Sequence, residues 1–111
     1  MKEDYPLFMH WYKTLDWILS AAERFPRNAR FSLASRLADE ALDTMECIVE
    51  AIYTKNRADI LDRINLCLEK QRVLFRIAHD RRYLSISQYE HVAKALDEAG
   101  RMVGGWKKAS P

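Results

Sequence analysis

Apolar residues recur along this chain at steps of three and four, the period of an α-helix that buries one face. Phe8, Trp11, Leu15, Ile18, Ala22 and Phe25 form the first such stripe. Pro26 disfavours helix at the residue before it, which ends the segment near Arg24. Leu33, Leu37, Ala41, Met45, Ile48 and Ile52 form the second stripe, with Asn28 as its expected N-cap. Ile60, Ile64, Cys67, Leu68, Gln71, Leu74, Phe75 and Ala78 form the third. Asn56 is its expected N-cap and Asp59 an acid in its first turn, leaving a short turn around 54–56. Tyr89, Val92, Leu96, Val103 and Trp106 form the fourth, opened by a capping box at Ser85/Gln88 or Ser87/Glu90. Gly100 falls inside it and suggests close helix packing, and Gly104–Gly105 are expected to fray or end it before Trp106. Four amphipathic helices with short connections predict an all-α, antiparallel up-down-up-down four-helix bundle in one domain, residues 1–111.

Composition narrows the class without changing it. The chain has 111 residues, 49% of them hydrophobic, with three Gly and three Pro. That is enough for one core and too few turn residues for a sandwich or barrel. A domain this small buries a limited share of its surface, so self-association is a plausible source of added stability. The longest stretch free of Asp, Glu, Lys and Arg runs from Tyr5 to Tyr12, far short of a membrane span. No leader pattern is visible, so a cytoplasmic protein without membrane contact is expected. Cys47 and Cys67 lie eight and twelve residues either side of Lys55, offset by about 6 Å along neighbouring helices. Two reduced, packed thiols are the better expectation than a disulfide.

The formal net charge is only +2, but its distribution is patterned. Segment 24–36 carries Arg24, Arg27, Arg30 and Arg36 with no acid. Segment 70–82 carries Lys70, Arg72, Arg76, Arg81 and Arg82 against Asp80. Segment 37–53 carries Asp39, Glu40, Asp43, Glu46 and Glu50 with no base. In an up-down-up-down bundle the first and third connections share one end, so Arg24, Arg27 and Arg30 approach Arg81 and Arg82. Arg72 and Arg76, four apart on α-helical spacing, lead toward that end on an exposed face. Arg matches phosphate bidentately and stacks on bases, so this end suits nucleic acid or another acidic partner; a plain solvated surface is the competing reading. The acidic second helix, also a solvated face by default, can meet a basic face on the next copy in a symmetric oligomer.

Chemistry of other kinds finds little support. Glu-x-x-His, HExxH, CxxCH and a Gly-rich phosphate loop are all absent, so neither metal nor cofactor is expected, and the three His read as surface or cap residues. The six residues between Arg72 and His79 fit the Arg-x(4–6)-His spacing of HEPN-type helical ribonucleases, a phosphate clamp beside a general acid or base. Val73 stands where that family usually has a polar residue. Trp11, Tyr12, Trp17, Tyr53, Tyr83 and Tyr89 have faces on which bases stack, but at helical spacing most belong to the core; Trp17 and Tyr83 are expected to be partly exposed.

Three runs carry a family resemblance. Phe25-Pro26-Arg27-Asn28-Ala29-Arg30-Phe31-Ser32-Leu33 resembles a Pro-Lys/Arg-x-x-Arg-Tyr/Phe-x-Leu lead-in to helix 2. Tyr83 to Glu90 resembles a lead-in to helix 4, and Gly100-Arg101-Met102-Val103-Gly104-Gly105-Trp106-Lys107-Lys108 a closing Gly-Arg/Lys-x-x-Gly-Gly-Trp signature. Together, over roughly 5–108, they are similar to the accessory variability determinant (Avd) proteins of diversity-generating retroelements. Those belong to a wider four-helix-bundle family that includes proteins encoded in ribosomal RNA intervening sequences. Ala34 stands where related sequences often have Gly, and the acidic helix 2 is a second departure. The resemblance implies a non-enzymatic accessory factor that forms a ring of five bundles. It also implies association with the retroelement's reverse transcriptase and its template RNA or cDNA, through a basic surface that does not read sequence. By position Arg27, Arg30 and Lys107 match the family's basic residues, and Lys108 is added as Lys107's neighbour. Arg24, Arg36, Arg72, Arg76, Arg81 and Arg82 come from charge geometry alone. An intervening-sequence-type bundle with no retroelement partner, and a ribonuclease using Arg72 and His79, are the alternatives.

Overall fold

The computed structural model describes residues 2–110, and among them there are four long helices and no strand. They are α1 (Pro6–Glu23), α2 (Ser35–Ile52), α3 (Ala58–Asp80) and α4 (Ile86–Ala109). Each helix packs on its neighbours in the chain, and α1 also packs on α4, which closes an antiparallel four-membered bundle. The molecule is elongated, 45 × 23 × 22 Å. No helix among the described residues is long and apolar enough to cross a membrane.

The core follows the periodic stripes. Trp11, Ile18, Leu37, Ile48, Leu61, Ile64, Leu68, Phe75, Val92, Leu96 and Val103 are fully buried. Ala41, Ala51, Ala78 and Ala99 are buried too, and their short side chains let the helices approach closely. Leu15, Ala22, Leu33, Met45, Ile52, Cys67 and Leu74 sit at the seams rather than in the centre.

Polar pins set the helix register. The buried Trp11 indole Nε1 donates to the Ala41 carbonyl at 3.0 Å, tying α1 to α2. Gln71 is buried and its Nε2 donates to Thr44 Oγ1 at 3.0 Å and to the Cys67 carbonyl at 3.1 Å, tying α3 to α2. His10 Nε2 donates to the Ala95 carbonyl at 2.8 Å, tying α1 to α4. His91 is a surface residue, as expected, with its ring 4.9 Å from that of Trp17; His10 and His79 are half-buried rather than surface or cap residues, and His79 stacks on Tyr89 at 4.6 Å. Cys47 and Cys67 are free and half-buried, and burial pushes both thiols up, so both stay protonated at neutral pH.

Several helix ends depart from expectation. Asn28 caps nothing: a 3-10 turn over Arg27–Ala29 and a π-helical turn over Arg30–Ala34 precede α2. Asn56 is not the cap of α3 either; Arg57 occupies that position, and a guanidinium has no acceptor to offer the helix N–H groups. The Arg57 guanidinium lies over the Trp106 ring at 5.0 Å. The Ser85/Gln88 capping box is present, with both reciprocal bonds, and the Ser87/Glu90 alternative is not used. Gly104 and Gly105 do not end α4, which continues to Ala109. Packing of Trp106 on Tyr5, with ring centroids 5.1 Å apart, holds that last stretch helical against the glycines' propensity.

The glycines of α4 differ in what a side chain would meet. A Cβ at Gly100 would lie 3.2 Å from Arg72 Nη2, whereas one at Gly104 would meet nothing within 4 Å. Gly104→Ala is therefore expected to stabilise by about 1 kcal/mol, raising the melting temperature by about 4 °C. Gly100→Ala should gain less, because Arg72 must shift. Thermal melts of the two variants check the contrast, and equal gains would contradict it.

Candidate nucleic-acid interface

The connection after α1 is built by what it buries. Pro26 (ψ 149°) turns the chain out of the helix, and the Ala29 N–H donates back to the Pro26 carbonyl at 2.9 Å. Phe25, Ala29 and Ala34 point inward and are buried, while Arg24, Arg27, Arg30 and Arg36 are exposed. Ser32 and Ser35 hydroxyls donate to the Ala29 and Ser32 carbonyls, adding side-chain bonds to the backbone acceptors of the irregular turns. A groove of about 360 Å³ lies beside this connection, floored by Leu19, Ala22, Phe25 and Ala34, with Arg30 and Glu23 both lining it.

The connection after α3 is a Schellman motif. Tyr83 N–H donates to the Ala78 carbonyl and Arg82 N–H to the His79 carbonyl, both at 2.9 Å. Arg82 occupies the left-handed position of that motif, with φ 64°. Glycine is the usual occupant because a Cβ there costs about 1 kcal/mol. Arg81 reaches across to Tyr83, its Nε donating to the phenolic oxygen at 3.0 Å and its guanidinium lying 5.5 Å from the ring centroid. Tyr83 in turn packs on Phe25, centroids 5.5 Å apart. That contact joins the two connections, so Arg24, Arg27, Arg30, Arg81 and Arg82 occupy one end of the bundle.

Their charges are uncompensated. Among the described residues, Arg24, Arg27, Arg30, Arg36, Arg76, Arg81 and Arg82 form no ion pair. Arg72 differs. Its side chain is only one-third exposed, and its guanidinium is divided between Glu69 (2.8 Å), Asp97 (3.5 Å) and the Leu96 carbonyl (3.5 Å). It is a strut between α3 and α4 rather than part of an open face with Arg76, and Gly100 leaves room for it. Lys107 and Lys108 lie in the last turn of α4, at the opposite end, where Lys107 pairs with Asp62. From Ile86 to Lys107 the helix spans about 30 Å, so these lysines do not join the arginine cluster.

The remaining candidates do not converge on a reacting centre. Arg72 and His79 stand two turns apart on α3, about 10 Å along its axis. Arg72 is occupied by carboxylates, and His79 lies flat on Tyr89 with Asp80 at 3.9 Å. No cluster of three or more His, Cys, Asp or Glu gathers among the described residues. On α2, Asp39, Asp43 and Glu46 are exposed without ion-pair partners, and Glu50 accepts from Arg63 Nη2 at 3.3 Å. Trp17 and Tyr83 are half-buried, as expected. Phe31 is exposed, and the signal for it in the sequence is its break from the 33–37–41 stripe.

Two substitutions separate the strut from the basic end. Arg72→Ala is expected to cost about 1 kcal/mol of stability, seen as a lower melting temperature, by unpinning α3 from α4. Arg82→Gly is expected to raise the melting temperature by a few degrees through relief of the left-handed backbone, whereas Arg82→Ala should not. A destabilised Arg82→Gly protein would contradict the strain.

A family model described as bAvd-like matches residues 8–110, from the first turn of α1 through α4, both arginine-bearing connections included. No curated protein matches the chain. The chain belongs to the bAvd-like family.

Proposed function

We propose that this protein is a non-enzymatic accessory factor of a diversity-generating retroelement. It holds the element's reverse transcriptase near the template RNA or cDNA, gripping the strand's phosphates with the arginine end of the bundle. The observation that carries this reading is the joining of two connections, distant in sequence, into one end whose guanidinium groups have no carboxylate partner among the described residues. Unpaired arginines in water gain most from a polyanion, because each contact releases condensed counterions. Phosphate contacts position a strand without reading its bases, which suits a factor that must accept a varying template. The uncompensated acids of α2 complement the basic end, which supports assembly of several copies, with a five-membered ring as the form the family resemblance implies.

Binding to single-stranded RNA should weaken steeply with salt. Each phosphate neutralised contributes about 0.7 to the slope of log affinity against log salt. Replacing Arg27 and Arg30 together by alanine should reduce that slope by about 1.4, with melting temperature nearly unchanged. Arg72→Ala should leave the slope alone. The same double variant should recover less of the neighbouring reverse transcriptase on co-purification. Salt-independent binding, RNA cleavage by the purified protein that His79→Ala abolishes, or a gene lying inside a ribosomal RNA operon would each overturn the reading.

A further inference from the structure

We infer that Phe31 is a stacking platform for an unpaired base of the strand that the arginines hold. This rests on the reading of the basic end as a nucleic-acid grip and adds a base contact to it. Phe31 is 90% exposed, more than any other large apolar side chain described; Tyr53 follows at 73%. Its exposure is built by the backbone. It falls in the π-helical turn Arg30–Ala34, which interrupts the regular path into α2. Ala29 and Ala34 on either side of it are buried, and Phe31 is turned outward. Local π-helical turns of this kind are often found at functional sites.

Its surroundings select the occupant. Phe31 follows Arg30 directly and lies four residues from Arg27, within a run from Arg24 to Arg36 that holds no acid. These guanidiniums form no ion pair among the described residues. An apolar protein pocket closing over the ring would desolvate them without supplying opposite charge, which is unfavourable. A single strand supplies both requirements at once: phosphates for the guanidiniums, and a base whose flat face suits the ring. A duplex keeps its bases stacked internally and offers no free face. The ligand class is therefore single-stranded RNA or DNA, bound without base selectivity because every base has a stacking face.

Fluorescence anisotropy on the whole protein tests this with two labelled single-stranded oligonucleotides of equal length and charge, one bearing bases and one abasic throughout. Phe31→Ala should weaken binding to the base-bearing strand by at least about fivefold and leave the abasic strand unaffected. Phe31→Trp and Phe31→Tyr should keep the affinity. Because the ring is exposed, Phe31→Ala should melt as the wild type does. Equal losses on both strands, or no loss on either, would overturn the proposal. So would a change in subunit number by light scattering, which would place the ring between copies. Lost capture of the reverse transcriptase with RNA affinity intact would place it against protein instead. Wild-type protein that binds neither strand would bring down the basic-end reading itself; wild-type protein that binds both strands equally, with Phe31→Ala inert, would remove only the stacking.

Discussion

One contact between two loops governs how this molecule presents its charge. Phe25 closes the connection after α1, Tyr83 closes the connection after α3, and their rings meet at 5.5 Å. Like charges on the two connections repel, and that contact opposes the repulsion. The magnitudes favour the contact. Two guanidiniums about 8 Å apart in water repel by about 0.5 kcal/mol, and physiological salt reduces that further. Burying a phenylalanine ring contributes about 2 kcal/mol. Apolar burial therefore holds the cationic end together, and the arginines themselves need contribute nothing to folding.

Local stability is given up in the same place. Arg82 takes a left-handed conformation that glycine would occupy with less strain, and Phe31 leaves a full aromatic ring in water. The connection from α1 into α2 passes through a 3-10 turn and a π-helical turn where a capped helix start would be simpler. At the opposite end the chain behaves otherwise: Lys107 meets Asp62, Arg57 covers Trp106, and Trp106 packs on Tyr5. The opposite end departs from local preference as well, in the helical Gly104–Gly105 and the uncapped start of α3, but there side-chain packing compensates. The strained and exposed groups of the basic end instead have a purpose in partner binding.

The four helices were legible because burial imposes its period directly on the sequence. The meeting of the first and third connections was legible because short connections between four helices leave little topological choice. Helix ends were less legible. Asn28 and Asn56 have good capping chemistry, but capping depends on where the backbone enters the helix: Asn28 lies inside a 3-10 turn that follows Pro26, and α3 begins one residue too late for Asn56. The continuation of α4 through Gly104 and Gly105 depends on Trp106 finding Tyr5 across the bundle, a partner a hundred residues away that local propensity does not register. Arg72 was misplaced for a related reason. Its spacing from Arg76 suggests a shared face, yet four residues on a helix turn about 40° past a full circle. That rotation brings Arg72 against Asp97 and the Leu96 carbonyl of α4 and leaves Arg76 in solvent.

The division between paired and unpaired charge is more informative than net charge. A value of +2 describes a nearly neutral protein, yet the arginines of its basic end pair with no carboxylate among the described residues, and much of its α2 face lacks bases. Within one copy these regions do not neutralise each other: Glu50 reaches Arg63, but Asp39, Asp43 and Glu46 reach no cation. In water alone such separation brings no benefit, since solvated charges are nearly indifferent to where they lie. It becomes useful when something else arrives. A second copy can present base to acid, and a polyanion can displace counterions from the arginines without competing with internal salt bridges. The same absence of internal partners that makes these residues unimportant for folding leaves them available for assembly and binding.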